Sequence, residues 1–379
     1  MAFREKLKRK KSEKGGIDLP FLLLVLLLLC FGLVMLYSAS FATAHFNEGN
    51  AGYFLFRQLG FATVGLIAMF VIAFWVDYHL LARFAKLILI VALAMLVLVL
   101  FIGRGLYGEK RWFYLGFNFQ PSEFAKFAII VFFAFWGTKY ATKMHTFRYG
   151  VLPFGAVLVA IAILMVMEPH YSGAIIMLAL GVIIMFAAGT HWRYFVGLIG
   201  LAAVGIFAAL KMNLPFLKGY FNERMRIWRD PWVDPRDKGY QIIQSLYAVG
   251  SGGPFGLGLG NSRQKFLYLP EAQNDFIFAI ACEELGFVGA SIIILLFILL
   301  IGRGFWIAIN AKDRFGSLLV TGIMTLIALQ TFLNIAVVSN SLPVTGASLP
   351  FFSSGGTALV ITLAEMGVVL NVSRQLRNK

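Results

Sequence analysis

Apolar stretches of about 20 residues recur along this chain from Leu19 almost to its end, and each is long enough to cross a bilayer core of roughly 30 Å as an α-helix. Ten are expected, near 19–38, 54–76, 80–102, 123–136, 151–167, 173–188, 194–210, 276–301, 316–338 and 357–372. Hydrocarbon offers no partner to a free N–H or C=O, so apolar spans of this length must close their hydrogen bonds internally as helices. The expected fold class is therefore all-α, a polytopic membrane protein with about ten transmembrane helices and a large extracellular loop between spans seven and eight. Composition supports this where it discriminates. Only 13% of residues are charged, against roughly 25% in soluble domains. No linker-like segment breaks the series, so 19–372 reads as one membrane domain, between a basic segment at 1–18 and a short tail at 373–379.

Charge orients the spans. The segment before Leu19 is crowded with lysine and arginine. Ala42-Thr43-Ala44 resembles a signal-peptide cleavage site, but the apolar run is long for a signal sequence and many follow it, so it reads as an uncleaved first span. With the N-terminus inside, Arg83, Lys86, Lys139, Lys143, Arg148, Arg193, Arg303, Lys312, Arg314 and Arg374 all fall at the inner face, as the positive-inside rule requires. An even number of spans returns the C-terminus to the cytoplasm. Two outer loops remain, 104–122 and 211–275. The formal net charge of +15 is explained by cytoplasmic basic residues and anionic lipid, and nucleic acid is not expected as a partner. Cys30 and Cys282 lie in apolar runs and read as buried thiols without a disulfide or metal role.

Three outward stretches are too distinctive for generic membrane sequence. The first holds Gly108 to Trp112 and then Gln120-Pro121-Ser122-Glu123-Phe124-Ala125-Lys126, with Ser122 as a candidate helix cap. Glu123 and Lys126 are three apart and share a helix face. Ionisable groups at that depth are costly unless they pair, snorkel or act on a substrate. The second runs from Tyr240-Gln241 through Gly256-Leu257-Gly258-Leu259-Gly260 to Leu269-Pro270-Glu271-Ala272-Gln273-Asn274-Asp275. Its glycines match no nucleotide-binding pattern and are expected to form a tight re-entrant or surface turn. The third, Leu342-Pro343 to Gly355-Gly356, cannot be helical, and such backbone is tolerated in a membrane only when buried in protein or lining a cavity.

These stretches, with Tyr37-Ser38-Ala39-Ser40 expected to close the first span, resemble the SEDS family of peptidoglycan glycosyltransferases. The region from Tyr240 to Gly286 is most similar to its division and sporulation branch, FtsW and SpoVE, rather than the rod-shape branch, RodA. The resemblance implies a ten-span enzyme that polymerises lipid II outside the cytoplasmic membrane, for division at the septum. It also implies a single-span class B penicillin-binding protein (a transpeptidase) and other division proteins as partners. The family's essential aspartate falls on Asp275, and its other motif positions fall on Arg111, Trp112, Glu123 and Lys126. One departure is that Glu168-Pro169-His170 stands where many members have Pro-Asp, so no role is carried over to His170.

Transfer of a sugar from a polyprenyl diphosphate needs a base for the attacking hydroxyl and cations for the departing diphosphate. Asp275 is expected to be the base, kept ionised by water and neighbouring cations. Arg111 and Lys126 are expected to hold the diphosphate, with Lys110, Arg224 and Arg226 behind them. A divalent cation, Mg or Mn, between Asp275 and the diphosphate is compatible with this chemistry, although the sequence contains no dedicated cage. Glu283 and Glu284 read as structural. Two other classes compete: a lipid II flippase, which needs polar groups through the bilayer depth, and a non-catalytic scaffold, which does not need Asp275.

Overall fold

The structure, a computed structural model, describes residues 15–103, 105, 110–114, 116–197, 200 and 223–376. Nine long helices run through the bundle among these residues: α1 (Leu19–Glu48), α2 (Tyr53–Phe74), α3 (His79–Ile102), α4 (Pro121–Lys139), α5 (Leu152–Met167), α6 (Tyr171–Ala187), α8 (Ile277–Ile309), α9 (Arg314–Val338) and α10 (Gly356–Ser373). The shorter α7 (Tyr240–Ser251) belongs to the large loop. A two-stranded hairpin, β1 (Phe113–Tyr114) and β2 (Asn118–Phe119), precedes α4. The expected span at 194–210 lies almost wholly outside the described residues. Six of these helices, together with the 21-residue run Phe147–Met167 that contains α5, are long and apolar enough to cross a membrane. Of the others, α6 has 17 residues, and α4 carries Glu123, Lys126 and Lys139.

Chain direction alternates, so the three distinctive stretches all come to one end of the bundle. The basic residues expected at the inner face gather at the other, where Arg374 donates to the Ala73 carbonyl (3.0 Å) and Arg314 to that of Ala188 (2.7 Å). Asp18 caps α1 there, accepting from the Phe21 amide (3.1 Å) and pairing with Arg303 of α8 (2.8 Å). The bundle is organised around α4 and α9. Helix α4 packs against α3, α6 and α9, and α10 lies along α2.

Helix α8 is broken. Gly286 has φ 65° and ψ −168°, a left-handed backbone that a side chain would strain. The glycine-rich loop inserts into the gap. Amides of Leu257 and Gly258 donate to the carbonyls of Glu283 and Glu284 (both 3.0 Å), and those of Phe287 and Val288 donate back to Gly253 and Pro254. A Cβ on Gly286 would lie 2.2 Å from the Gly256 nitrogen, so only glycine allows the two backbones to meet. The expected re-entrant turn is this insertion, and it satisfies the groups that the break exposes.

Several local expectations change. Helix α1 runs ten residues past Ser38, so Tyr37-Ser38-Ala39-Ser40 and Ala42-Thr43-Ala44 lie within a helix and close nothing. Ser122 is not a cap. Helix α4 starts two residues earlier than expected, with Gln120 at the N-cap, because Pro121 is pre-set for the first helical position. Ser122 is buried, and its hydroxyl has no partner among the described residues. Cys30 faces outward from α1, whereas Cys282 is buried.

Candidate active site

Two irregular segments build the floor of a cavity of about 220 Å³ at the motif-bearing end of the bundle. One is the turn preceding α8. The other is 341–355, which joins α9 to α10 and is non-helical, as its prolines and glycines require. They are stitched together around Asp275. Asn334 of α9, almost wholly buried, donates to the carbonyls of Asp275 and Ala347 (both 2.7 Å). The Ser353 hydroxyl donates to the Asn274 carbonyl (2.7 Å) and accepts from the Leu349 amide (2.8 Å). Neutral hydrogen bonds thus fix the main chain and leave the Asp275 carboxylate facing the cavity. Gly346 sits against it, where a Cβ would come within 3.1 Å of Oδ2.

Asp275 does not cap α8. Phe276 is the N-cap residue, and no side chain closes that helix end. The expectation of a freely ionised carboxylate needs correction too. Burial, and secondarily the negative charge of Glu271, push its pKa up to about 6, with Arg111 pulling the other way. Desolvation outweighs the nearby cation because the acid lies in the cavity wall rather than on the loop surface. Asp275 still ionises at neutral pH, and it is a stronger base for the shift.

Cations face it from α4 and from the hairpin's leading edge. Lys126 is 4% exposed and pairs with Glu123 through both carboxylate oxygens (2.7 and 2.8 Å), the geometry expected for residues three apart on one helix. Arg111 donates to the Glu168 carbonyl (3.3 Å) and to that of Pro169, which holds its guanidinium at the rim. Trp112, Glu123 and Gln120 line the same space.

The structure therefore gathers Asp275, Arg111, Trp112, Glu123 and Lys126 around one cavity. Lys110, Arg224 and Arg226 are exposed and do not line it. Arg224 donates to the Val344 carbonyl and so braces the 341–355 segment from outside. His170 lines the cavity where no role was assigned. Burial first, then the charges of Arg111 and Lys126, push its pKa down to about 3, so it is a neutral imidazole. Glu168, almost wholly buried, is pushed up to about 8 by burial. Gln330, Ser348 and Ser354 also contribute polar atoms, and their spacing in the sequence carries no signal for this.

The two glutamates of α8 have other work. Glu284 accepts from Ser38 (2.6 and 2.7 Å), from the Ser262 amide (3.3 Å) and from Lys265 (2.9 Å). Glu283 accepts from the Arg263 and Gln264 amides (3.0 and 3.3 Å) and from the Ser262 hydroxyl. They clamp the inserted loop to α1 and α8, in keeping with a structural role. Among the described residues, no three His, Cys, Asp or Glu side chains converge on a metal-sized site.

The FtsW/RodA/SpoVE family model, described as cell cycle protein, matches 19–378. Stage V sporulation protein E of Bacillus subtilis is 43% identical over 97% of this chain and 99% of its own. The probable peptidoglycan glycosyltransferase FtsW of a Geobacter species is 42% identical over 96% and 98%. A chain from the solved structure of a peptidoglycan synthase complex, which coordinates polymerization and crosslinking, superposes with a TM-score of 0.78 at 29% identity, covering 96% of this chain and 99% of that one.

Proposed function

The chain belongs to the FtsW/RodA/SpoVE family of cell cycle proteins, a multi-pass membrane family, and from that premise we propose how it works as a peptidoglycan glycosyltransferase. The substrate is lipid II, polymerised at the outer face of the cytoplasmic membrane. The observation that carries this reading is the convergence of Asp275, Arg111 and Lys126 on one cavity at the motif-bearing end.

The acceptor hydroxyl attacks the donor's anomeric carbon while the carbon–oxygen bond to the diphosphate breaks. Asp275 takes the hydroxyl proton as the new bond forms, since the oxygen becomes far more acidic at that point. Lys126 and Arg111 stabilise the charge that develops on the diphosphate. Glu123 orients Lys126, and Trp112 offers a flat apolar wall. The diphosphate departs as a stable anion, so no second carboxyl group is needed to protonate it, unlike a glycosidase leaving group. A divalent cation, were one bound, would be held from the protein side by the Asp275 carboxylate and would supply neutralising charge for the leaving group.

The inner-face assignment of the basic end makes both termini cytoplasmic, and similarity to FtsW points to the septum. A class B penicillin-binding protein would dock through its single helix. Helix α8 offers the apolar surface for it, with Phe287 and Ile298 strongly exposed. Helix α9 is largely buried and contributes little to that surface beyond Phe332. Purified protein given lipid II in detergent should make glycan strands, and folded Asp275→Asn protein should make none. Vigorous polymerisation by that variant would remove Asp275 as base, and lipid transport without polymerisation would favour a flippase.

A further inference from the structure

A second concavity opens beside the first, and the β1–β2 hairpin is the wall between them. Trp112 and Gln120, at the hairpin's two ends, face the cavity of Asp275, whereas Tyr114, Phe117 and Asn118 face the second space. Asn50, Tyr53, Phe56 and Arg57, around the start of α2, form its other side. Its volume is about 490 Å³, within the range of about 300–1,000 Å³ typical of small-molecule sites. The hairpin is held in place by a bond from the Thr357 hydroxyl to the Asn118 carbonyl (3.3 Å) and by edge contact of the Phe61 and Phe117 rings.

Its lining is unusual for a membrane protein surface. Phe56 and Tyr114 are 66% and 62% exposed. Interfacial aromatic residues commonly anchor helix ends among lipid headgroups. Anchoring explains rings set singly around a rim. It does not explain four rings gathered about one hollow together with two carboxamides and a guanidinium. Flat aromatic faces stack on the C–H faces of sugar rings, asparagine amides serve both donors and acceptors of hydroxyl and acetamido groups, and a guanidinium matches a carboxylate in two-point geometry.

We propose that this groove binds the growing glycan strand, a chain of N-acetylated amino sugars whose peptide substituents carry carboxylates. The identity of the ligand rests on the polymerase reading of the neighbouring cavity. Sugars already joined would lie against Tyr114 and Phe56, with Arg57 on a substituent carboxylate, while the reacting end stays beyond the hairpin at Asp275. A strand held there remains bound between additions, so the groove would set how long strands become.

Binding can be measured apart from catalysis. Asp275→Asn protein in detergent would be titrated with a fluorescently labelled, uncrosslinked peptidoglycan tetrasaccharide bearing its peptides. Saturable binding is expected, weakened about tenfold by Tyr114→Ala and by Arg57→Ala and unchanged by Phe84→Ala at the opposite end. The two groove substitutions lie on different elements, α2 and β1, so one local packing defect does not account for both, and thermal unfolding checks each. Affinity unchanged in both variants overturns the proposal. With Asp275 intact, the same substitutions should shorten the strands made from lipid II. If unsubstituted protein makes no strands but binds the tetrasaccharide through Tyr114 and Arg57, the polymerase reading fails and the groove stands.

Discussion

Replacing Asp275 by Asn should abolish turnover and, at neutral pH, stabilise the protein. Burial and Glu271 raise the carboxyl pKa from 3.8 to about 6, and one pKa unit corresponds to about 1.4 kcal/mol. Holding the ionised form in the cavity wall therefore costs on the order of 2–3 kcal/mol, before any discount for the solvent that reaches this half-buried group. The sign follows from linkage: a folded-state pKa above the unfolded one means the fold is favoured by protonation. The cost is absent well below pH 3.8, grows between that value and about 6, and is complete above it. Thermal unfolding of the Asn variant should thus exceed that of the unsubstituted protein at pH 7.5, and the gap should narrow by pH 4.5. Turnover has a matching signature. A base of pKa about 6 is about nine-tenths ionised at pH 7 and about one-tenth at pH 5, so single-turnover polymerisation of lipid II should fall about tenfold across that interval. Glu271→Gln should move the acid limb to lower pH. A rate that stays flat from pH 7 to 5 in folded protein, with no stability difference for Asp275→Asn, would refute the reasoning.

Lys126→Ala should lower turnover about a hundredfold or more, because one lost charge-assisted contact to the leaving diphosphate removes a few kcal/mol of transition-state stabilisation; single-turnover rates with lipid II read this directly. Lys265→Met should destabilise the fold by about 3–5 kcal/mol, since it strands the Glu284 carboxylate in a fully buried site, and a compensating loss of effect in the Lys265→Met, Glu284→Gln double variant is the check. Gly286→Ala should prevent insertion of the glycine loop, its Cβ meeting the Gly256 backbone at 2.2 Å, and limited proteolysis around 252–260 should detect the release. Cysteines placed singly at Lys238 and Lys312 should differ in labelling of whole cells by an impermeant reagent; labelling at 312 alone would invert the orientation.

The approximate limits and alternation of the nine described long helices were legible in the sequence because each is imposed locally. Twenty apolar residues in hydrocarbon have one way to satisfy their backbone, and that pressure acts on every segment without reference to its neighbours. The pairing of Glu123 with Lys126 was legible for the same reason, since helix pitch alone brings residues three apart together. The five residues now around the cavity had been singled out by their motifs, but nothing in their order showed that Arg111 would meet Asp275. That meeting depends on how α4, α8 and α9 pack, and on Asn334 fixing two loops by their carbonyls. The protonation behaviour of Asp275 was likewise out of reach, because desolvation is a property of everything that surrounds the group rather than of its neighbours in the chain. His170 entered the cavity unannounced for that reason. The break at Gly286 was hidden too: a glycine in an apolar run reads as a small helix residue, and only the loop that fills the gap makes its left-handed conformation necessary. Periodicity and charge thus determined a bundle with its motifs at one end, and tertiary packing decided which of those motifs touch, which carboxylates are buried, and where a second hollow opens beside the first.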